Sequence, residues 1–221
     1  MGHPQIIPTP DGASLGEHDR PLVVLIGGGT GVGKSTVATQ VARELGIARV
    51  SSTDFIREVL RSVVPETIAP ELSRSSFELD GHTSAVAESA HAEFERQARQ
   101  VLVGVRAEVH RAVREGISLI LEGIHLLPGL IDLGDVSGGG PVVHVVLVVN
   151  DAGDLAGRFE VRAKASQRPA GRYEEELEAI CELQAHLVTS ARRAGVPVIE
   201  NRHLEGTVHQ LLDLISAAAR H

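Results

Sequence analysis

Short, continuous apolar runs alternate along the chain with longer stretches in which apolar residues recur every three or four positions. Runs bounded by glycine or turn residues predict buried parallel strands near residues 22–26, 47–51, 117–121, 141–149 and 196–200. Because helical patterns separate these runs, the sequence predicts an α/β fold with a five-stranded parallel sheet between two layers of helices.

The helical patterns have recognisable boundaries. Residues 34–45 predict a helix that stops at Gly46, and a second helix is expected to begin near Phe55, after a Ser-Thr-Asp sequence that can cap it. A polar, loop-rich insertion follows the second helix. Further helices are predicted over residues 83–115, 152–164 and 172–194 and after the last strand.

Chain length and composition predict a single domain. The 221 residues suffice for one α/β domain with a buried core. Residues 1–20 are rich in proline and glycine and contain no long apolar run, so we predict a flexible N-terminal tail before a domain over residues 21–221. No segment has the length and apolar character of a membrane span, which predicts a protein without membrane contact.

Charge and cysteine content exclude some functions. A net charge of −8 and an aromatic content of 2% disfavour nucleic-acid binding, which needs cations and stacking platforms. The single cysteine, Cys181, cannot form an intramolecular disulfide and fits a reducing compartment, so we predict a cytoplasmic location. The composition leaves a homodimer open.

The strongest chemical signal is the glycine-rich segment at residues 28–35, whose sequence GGTGVGKS fits the phosphate-binding P-loop pattern. It follows a predicted strand and precedes a predicted helix, which disfavours the alternative of an ordinary glycine-rich turn. We predict that Lys34 reaches the β- and γ-phosphates of ATP and that Ser35 ligates Mg²⁺. The predicted nucleotide-binding residues are Gly28, Gly29, Thr30, Gly31, Val32, Gly33, Lys34, Ser35 and Thr36.

A P-loop alone does not separate GTPases, ATPases and small-molecule kinases. The chain has no N-K-x-D motif, which disfavours a guanine-specific switch protein. A kinase needs an acceptor-side base, an acid that holds the metal, and mobile cations over the phosphates. The sequence offers candidates for all three.

On the acceptor side, Asp54 follows the second strand and could take a proton from an acceptor hydroxyl. Arg57, one helical turn along, could bind an anionic substrate; the alternative is a helix cap with an exposed salt bridge. Glu122 ends the third strand and is a candidate for the Mg²⁺-side acid, although which of Asp54 and Glu122 serves the metal stays open. His125 is either a donor to a substrate oxygen or a loop histidine without a catalytic task.

A basic segment follows the fourth strand, with a lysine and four arginines against the single acid Glu160. Arg158 and Arg162 lie on one helical face, which predicts a lid that carries catalytic guanidinium groups onto the transferred phosphate. Arg168 and Arg172, on either side of a Pro-Ala-Gly turn, are predicted to bind substrate. The alternative is a solvated helical hairpin.

Three segments resemble the 2-phosphoglycerate kinases, a family of P-loop small-molecule kinases: residues 26–36 (IGGGTGVGKST), 51–61 (SSTDFIREVLR) and 121–129 (LEGIHLLPG). The resemblance extends over residues 22–216. Archaeal members are longer and carry an N-terminal nucleotide-binding module, so regulation by such a module is not expected here.

The resemblance implies a P-loop kinase fold of the nucleoside and small-molecule kinase type, with a helical acceptor-side insertion and a lid. It implies transfer of phosphate from ATP to the 3-hydroxyl of 2-phosphoglycerate, giving 2,3-bisphosphoglycerate. Such a small phosphorylated acceptor would engage Arg57, Arg61 and the lid arginines. Two alternatives stay open: a kinase for another acceptor, such as a sugar acid, nucleoside or antibiotic hydroxyl, and a non-catalytic ATP-binding regulator.

Overall fold

Five parallel strands form the central sheet of the computed structural model, which describes residues 7–8, 14–15, 20–73, 84–133, 139–151, 153–158 and 171–220. The order across the sheet is β4-β5-β3-β6-β7, and every neighbouring pair is parallel. The strands are β3 (Val23–Gly28), β4 (Arg49–Ser52), β5 (Leu119–Glu122), β6 (Val142–Val148) and β7 (Val198–Glu200). The predicted five-stranded parallel sheet is confirmed.

Helices connect the strands. They are α1 (Lys34–Leu45), α2 (Thr53–Val63), a 3₁₀ helix (Pro70–Ser73), α3 (Ser84–Arg114), α4 (153–158), α5 (Gly171–Ala194) and α6 (Leu204–Ala218). Within the described ranges, none of them is both long and apolar enough to cross a bilayer.

Alternate residues of β3 divide the core between the two faces of the sheet. Val24 and Ile26 pack in one cluster with buried residues of α1 and α6. Val23 and Leu25 point to the opposite face and pack with residues of α3 and the partly buried side of α2. Helices therefore cover both faces of the strands, which gives the predicted three layers.

Helix α2 approaches α3 closely because Gly104 has no side chain. A Cβ atom on Gly104 would lie 2.4 Å from Cγ2 of Ile56. Ile56 packs against the α3 side of the core. The absence of a side chain at Gly104 therefore allows the start of α2 to pack closely against α3.

Three strands begin two residues later than the sequence predicts. The predicted first residues were Ile47, Ile117 and Val196, and the observed ones are Arg49, Leu119 and Val198. In each case a helix ends at a left-handed glycine, and the amide after it turns back onto the helix; Ile47 N–H, for example, donates to the Ala42 carbonyl at 2.8 Å. The amide group of each of these apolar residues closes a Schellman-type helix end. It is therefore not available to the sheet, and the strand begins later.

The predicted N-terminal tail contains a short pairing. Strand β1 (Ile7–Pro8) pairs with β2 (Ser14–Leu15) in antiparallel orientation. The remaining residues before Arg20 lie outside the described part of the chain, and the division into a flexible tail and one domain stays a prediction.

Candidate active site

The P-loop connects the end of β3 to the start of α1, as the glycine pattern predicts. Gly33 takes the N-cap position of α1 with a φ of 90°, a conformation that disfavours any side chain. A Cβ atom there would also lie 2.6 Å from Nδ2 of Asn201. The loop therefore wraps tightly before a helix N-terminus, an arrangement suited to binding phosphate groups.

Lys34 is the first residue of α1 and bends over the loop. Its Nζ atom donates to the Gly29 carbonyl oxygen at 2.7 Å. The ammonium group thus lies along the glycine-rich segment, within the region where the sequence predicts nucleotide phosphates.

Ser35 and Glu122 meet at the carboxyl edge of the sheet. The Ser35 hydroxyl donates to Oε1 of Glu122 at 2.9 Å, and the glutamate is buried, with 7% of its surface exposed. A hydroxyl beside a carboxylate supplies the oxygen ligands that Mg²⁺ prefers. The two residues predicted to serve the metal are therefore neighbours and fit it chemically.

The strand register brings the acceptor-side segment to the same edge. Ser52, the last residue of β4, is paired with Glu122, which is also paired with Ile26 of β3. Ser52 caps α2 by accepting from the Asp54 amide at 3.2 Å, as the Ser-Thr-Asp sequence predicts. Asp54 thus lies in the first turn of α2, with an exposed side chain (69%).

His125 lies beneath Asp54 and is fully buried. Its Nδ1 atom is 2.9 Å from the Thr53 hydroxyl and 3.7 Å from Oδ1 of Asp54, and its Nε2 atom is 3.0 Å from Oε1 of Gln97. Burial lowers the pKa of His125 to about 4, while the Asp54 carboxylate opposes this shift. The predicted donation to a substrate oxygen would require one of these internal bonds to open.

Arg57 and Arg61 share one partner on α2. Arg57 Nη2 lies 3.0 Å from Oε1 of Glu58, and Arg61 Nη2 lies 2.6 Å from Oε2 of the same carboxylate. These hydrogen bonds lower the pKa of Glu58. The Arg61–Glu58 pair is solvent-exposed and contributes little to stability, so Arg61 can exchange Glu58 for an anionic ligand at low cost, whereas the Arg57 side chain is 19% exposed.

Arg158, at the end of α4, contacts the P-loop. Its guanidinium donates to the Val32 carbonyl at 3.3 Å and to the Asn201 carbonyl at 2.5 Å. Arg158 therefore contacts the P-loop, and its catalytic role stays a prediction. Arg162 and Arg168 lie outside the described residues, and Arg172 is in α5, where only its backbone is described.

Four polar residues that support the site were not among the predicted site residues: Thr53, Gln97, Gln184 and Asn201. Asn201 donates to the Val32 carbonyl at 2.7 Å, and Gln184 pairs with both backbone groups of Val149 at the end of the sheet. Gln97 and Gln184 interrupt otherwise apolar helical stripes, and this was the available signal. A polar residue on a buried stripe needs partners.

Comparisons with known proteins agree with this arrangement. The model of the Zeta toxin family matches residues 11–124, more than half of the chain. The 2-phosphoglycerate kinase of Pyrococcus horikoshii is 42% identical over 197 residues, which cover 87% of this chain and 64% of that protein. The 2-phosphoglycerate kinase of Thermococcus kodakarensis is 40% identical over 193 residues, 86% of this chain and 65% of that protein.

The chain thus spans just under two thirds of the length of these relatives, and the predicted resemblance is confirmed. Among solved structures, a gluconokinase from Sinorhizobium meliloti 1021 superposes with a TM-score of 0.53 at 18% identity, over 90% of this chain and 94% of that one. This likeness confirms the predicted P-loop kinase type of fold.

Proposed function

The chain belongs to the Zeta toxin family, and we propose that it is an ATP-dependent kinase that phosphorylates a hydroxyl group of a small phosphorylated hydroxy acid. As the acceptor we propose 2-phosphoglycerate, whose phosphorylation at the 3-hydroxyl would yield 2,3-bisphosphoglycerate. The names of the two archaeal relatives support this acceptor. The cytoplasmic location and the homodimer stay predictions.

The observation that carries the proposal is the meeting of three segments at one sheet edge. The P-loop follows β3, Glu122 ends β5, and Asp54 follows β4, the strand paired with β5. The Ser35–Glu122 hydrogen bond of 2.9 Å ties the first two segments together. A phosphoryl donor in the P-loop would therefore have an acid on its metal side and a carboxylate on its acceptor side.

On the nucleotide side, the proposed work of the chain is charge stabilisation. The ammonium group of Lys34 would turn from the Gly29 carbonyl, 2.7 Å away, to the β- and γ-phosphate oxygens. Ser35 and Glu122 would hold Mg²⁺, which when bound neutralises charge on those phosphates. Arg158 already reaches the Val32 carbonyl of the loop and would add a guanidinium group near the nucleotide.

On the acceptor side, we propose that Asp54 orients the attacking hydroxyl and accepts its proton. Its exposed carboxylate can reach a small ligand, whereas His125 beneath it is buried. Arg57 and Arg61 would bind the phosphate and carboxylate of the acceptor, since guanidinium groups bind both in a bidentate manner. The phosphoryl group would then pass from the leaving oxygen of ATP, which departs as ADP, to the acceptor hydroxyl oxygen, as Asp54 accepts the proton of that hydroxyl.

The direct test is incubation of the purified chain with γ-labelled ATP, Mg²⁺ and a panel of acceptors. The panel contains 2-phosphoglycerate, its 3-phospho isomer, a sugar acid and a nucleoside. We expect 2-phosphoglycerate to be the one acceptor of the panel that becomes labelled, with the label in 2,3-bisphosphoglycerate. Preferential labelling of another acceptor would show that the chain is a kinase for that acceptor instead of 2-phosphoglycerate. No labelled acceptor at all would contradict the proposed reaction.

A further inference from the structure

A continuous chain of buried polar side chains runs behind the acceptor-side carboxylate. It connects the start of α2, the loop after β5 and helix α3 through Thr53, His125 and Gln97, and it ends at the backbone carbonyl oxygen of Glu71 in the 3₁₀ helix. The Thr53 and His125 side chains have no exposed surface, and Gln97 has 3%. A fully bonded polar chain in such surroundings fixes one geometry, because any broken link leaves an unsatisfied buried group.

The direction of each hydrogen bond follows from the far end of the chain. The Gln97 amide nitrogen donates to the Glu71 carbonyl, so Oε1 of Gln97 is the atom that faces the ring of His125. A carbonyl oxygen only accepts, so Nε2 of His125 carries a proton. In the neutral ring Nδ1 is then an acceptor, and it accepts a hydrogen bond from the Thr53 hydroxyl at 2.9 Å.

The loop that leads to His125 packs directly against the Thr53 side chain. Gly123 has a φ of 152°, and a Cβ atom on it would lie 1.8 Å from Oγ1 of Thr53. Gly123 directly follows Glu122, which holds the Ser35 hydroxyl. The loop that carries His125 therefore joins the metal-side carboxylate to the residue that precedes Asp54.

The 3₁₀ helix is fastened at more than one point. Besides the carbonyl that accepts from Gln97, the Glu71 carboxylate accepts from Arg96 and from Gln100, each at 3.1 Å. These bonds lower the pKa of Glu71, together with a hydrogen bond from its own backbone, which is the largest cause. The far end of the polar chain is thus anchored on α3.

We infer that His125 is a positioning residue for phosphoryl transfer: as a neutral imidazole protonated at Nε2, it holds Thr53 and thereby fixes Asp54 relative to the Ser35–Glu122 pair. His125 touches neither substrate nor nucleotide in this role. The inference rests on the proposed function, because Asp54 is there the acceptor-side carboxylate. Misplacing such a group by about 1 Å can lower turnover about a hundredfold.

Thr53 provides the cleanest variants. Thr53→Val keeps the shape but removes the hydroxyl donor, whereas Thr53→Ser keeps the donor. We expect Thr53→Val to lower kcat about tenfold or more with an unchanged KM for ATP, and Thr53→Ser to restore most of the turnover. Equal turnover in the two variants would overturn the inference.

His125 itself gives a second pair. An asparagine can place an amide oxygen near the former Nδ1 and accept from Thr53, while a glutamine reaches the former Nε2 and Gln97. We expect His125→Asn to retain more turnover than His125→Gln at equal melting temperature. The opposite order would show that contact with Gln97, rather than the hold on Thr53, sets the rate.

Nuclear magnetic resonance separates failure of this inference from failure of the proposed reaction, since it needs no acceptor. Long-range ¹H–¹⁵N spectra should show His125 protonated at Nε2 alone at neutral pH, and the Asp54 amide peak should move further in His125→Gln than in His125→Asn. A ring protonated at Nδ1 or on both nitrogens, or an Asp54 peak that moves alike in the two variants, would contradict the inference whether or not wild type phosphorylates any acceptor.

Discussion

The Ser35 hydroxyl donates to Oε1 of Glu122 at 2.9 Å, although 87 residues separate the two in the chain. One residue belongs to the first turn of the helix after the P-loop and the other ends the strand paired with β3. The pair defines the side of the P-loop on which a metal ion would be held. The acceptor would then bind on the remaining side.

Glu122→Gln should raise the Mg²⁺ concentration needed for half-maximal phosphate transfer about tenfold or more, because the amide keeps the shape but lacks the charge that binds the cation. A Mg²⁺ titration of the initial rate measures this. Glu115→Gln is the matched control, since that glutamate pairs with Arg49 and Arg111 away from the P-loop. An unchanged Mg²⁺ requirement in Glu122→Gln would place the metal elsewhere.

Lys34→Ala should lower kcat about a thousandfold, because the role proposed for the lysine is to stabilise charge on the transferred phosphoryl group rather than to pack in the core. The melting temperature should change little. Arg43→Ala is the control, since Arg43 is an exposed cation in the last turn of the same helix. This variant should keep a rate near that of wild type. Turnover that survives in Lys34→Ala would remove this residue from the site.

Asp54→Asn should reduce turnover strongly while ATP affinity stays the same, because the amide cannot accept the acceptor proton. Steady-state kinetics combined with a nucleotide-binding titration separates the two effects. Asp213→Asn, an exposed change on α6, is the control. An equal loss of ATP affinity would instead assign Asp54 to the nucleotide side.

The free energy of unfolding should depend on pH through His144 on β6. Burial lowers the pKa of His144 to about 4, opposed by its hydrogen bond with the Leu126 carbonyl. The unfolded chain binds this proton near pH 6.5, so the stability contributed by the neutral ring falls as pH drops from about 6.5 towards about 4, by a few kcal/mol in all.

Urea unfolding across that pH range should therefore give a shallower pH dependence in His144→Gln than in wild type, because glutamine does not titrate. A glutamine at the exposed His209 is the matched histidine replacement. Parallel curves for wild type and His144→Gln would mean that the ring titrates alike in the folded and unfolded chains.

Gly104→Ala should destabilise the protein by about 1–3 kcal/mol, even though alanine favours helices, because the added methyl group meets Ile56 at 2.4 Å. Adding Ile56→Ala to Gly104→Ala shortens the side chain that the new methyl group meets. In a double-mutant cycle, we expect this second change to recover part of the lost stability. Gly206→Ala on α6, where a Cβ meets nothing within 4 Å, should stabilise by about 0.5–1 kcal/mol. Urea unfolding of wild type, the two single variants and the double variant of the cycle, and Gly206→Ala decides the sign of each effect.

Local signals in the sequence predicted much of the frame. The helix at residues 34–45 matches α1 (Lys34–Leu45) because a P-loop before it and Gly46 after it mark both ends. Strand starts were less predictable. By its apolar character, a residue after a helix-ending glycine, such as Ile47, could belong either to the helix end or to the next strand. In the structure its amide donates to a carbonyl of the preceding helix.

The candidate site was predictable where chemistry lies at the end of a strand. Asp54 and Glu122 could be placed at one edge because parallel strands share their carboxyl ends. The contact between His125 and Gln97 could not, since the two are 28 residues apart and their pairing depends on how α3 packs against the sheet. The interrupted apolar stripe marks Gln97 as a buried polar residue, but it does not identify the partner that helix packing supplies.

Phosphorus NMR of the purified chain with ATP, Mg²⁺ and 2-phosphoglycerate follows the phosphoryl donor and the product in one spectrum. We expect the γ-phosphate signal of ATP to fall while the signals of ADP and of 2,3-bisphosphoglycerate rise in equal amounts, and we expect Asp54→Asn to slow this transfer. ATP that stays intact, or that yields only inorganic phosphate, would overturn the proposed reaction.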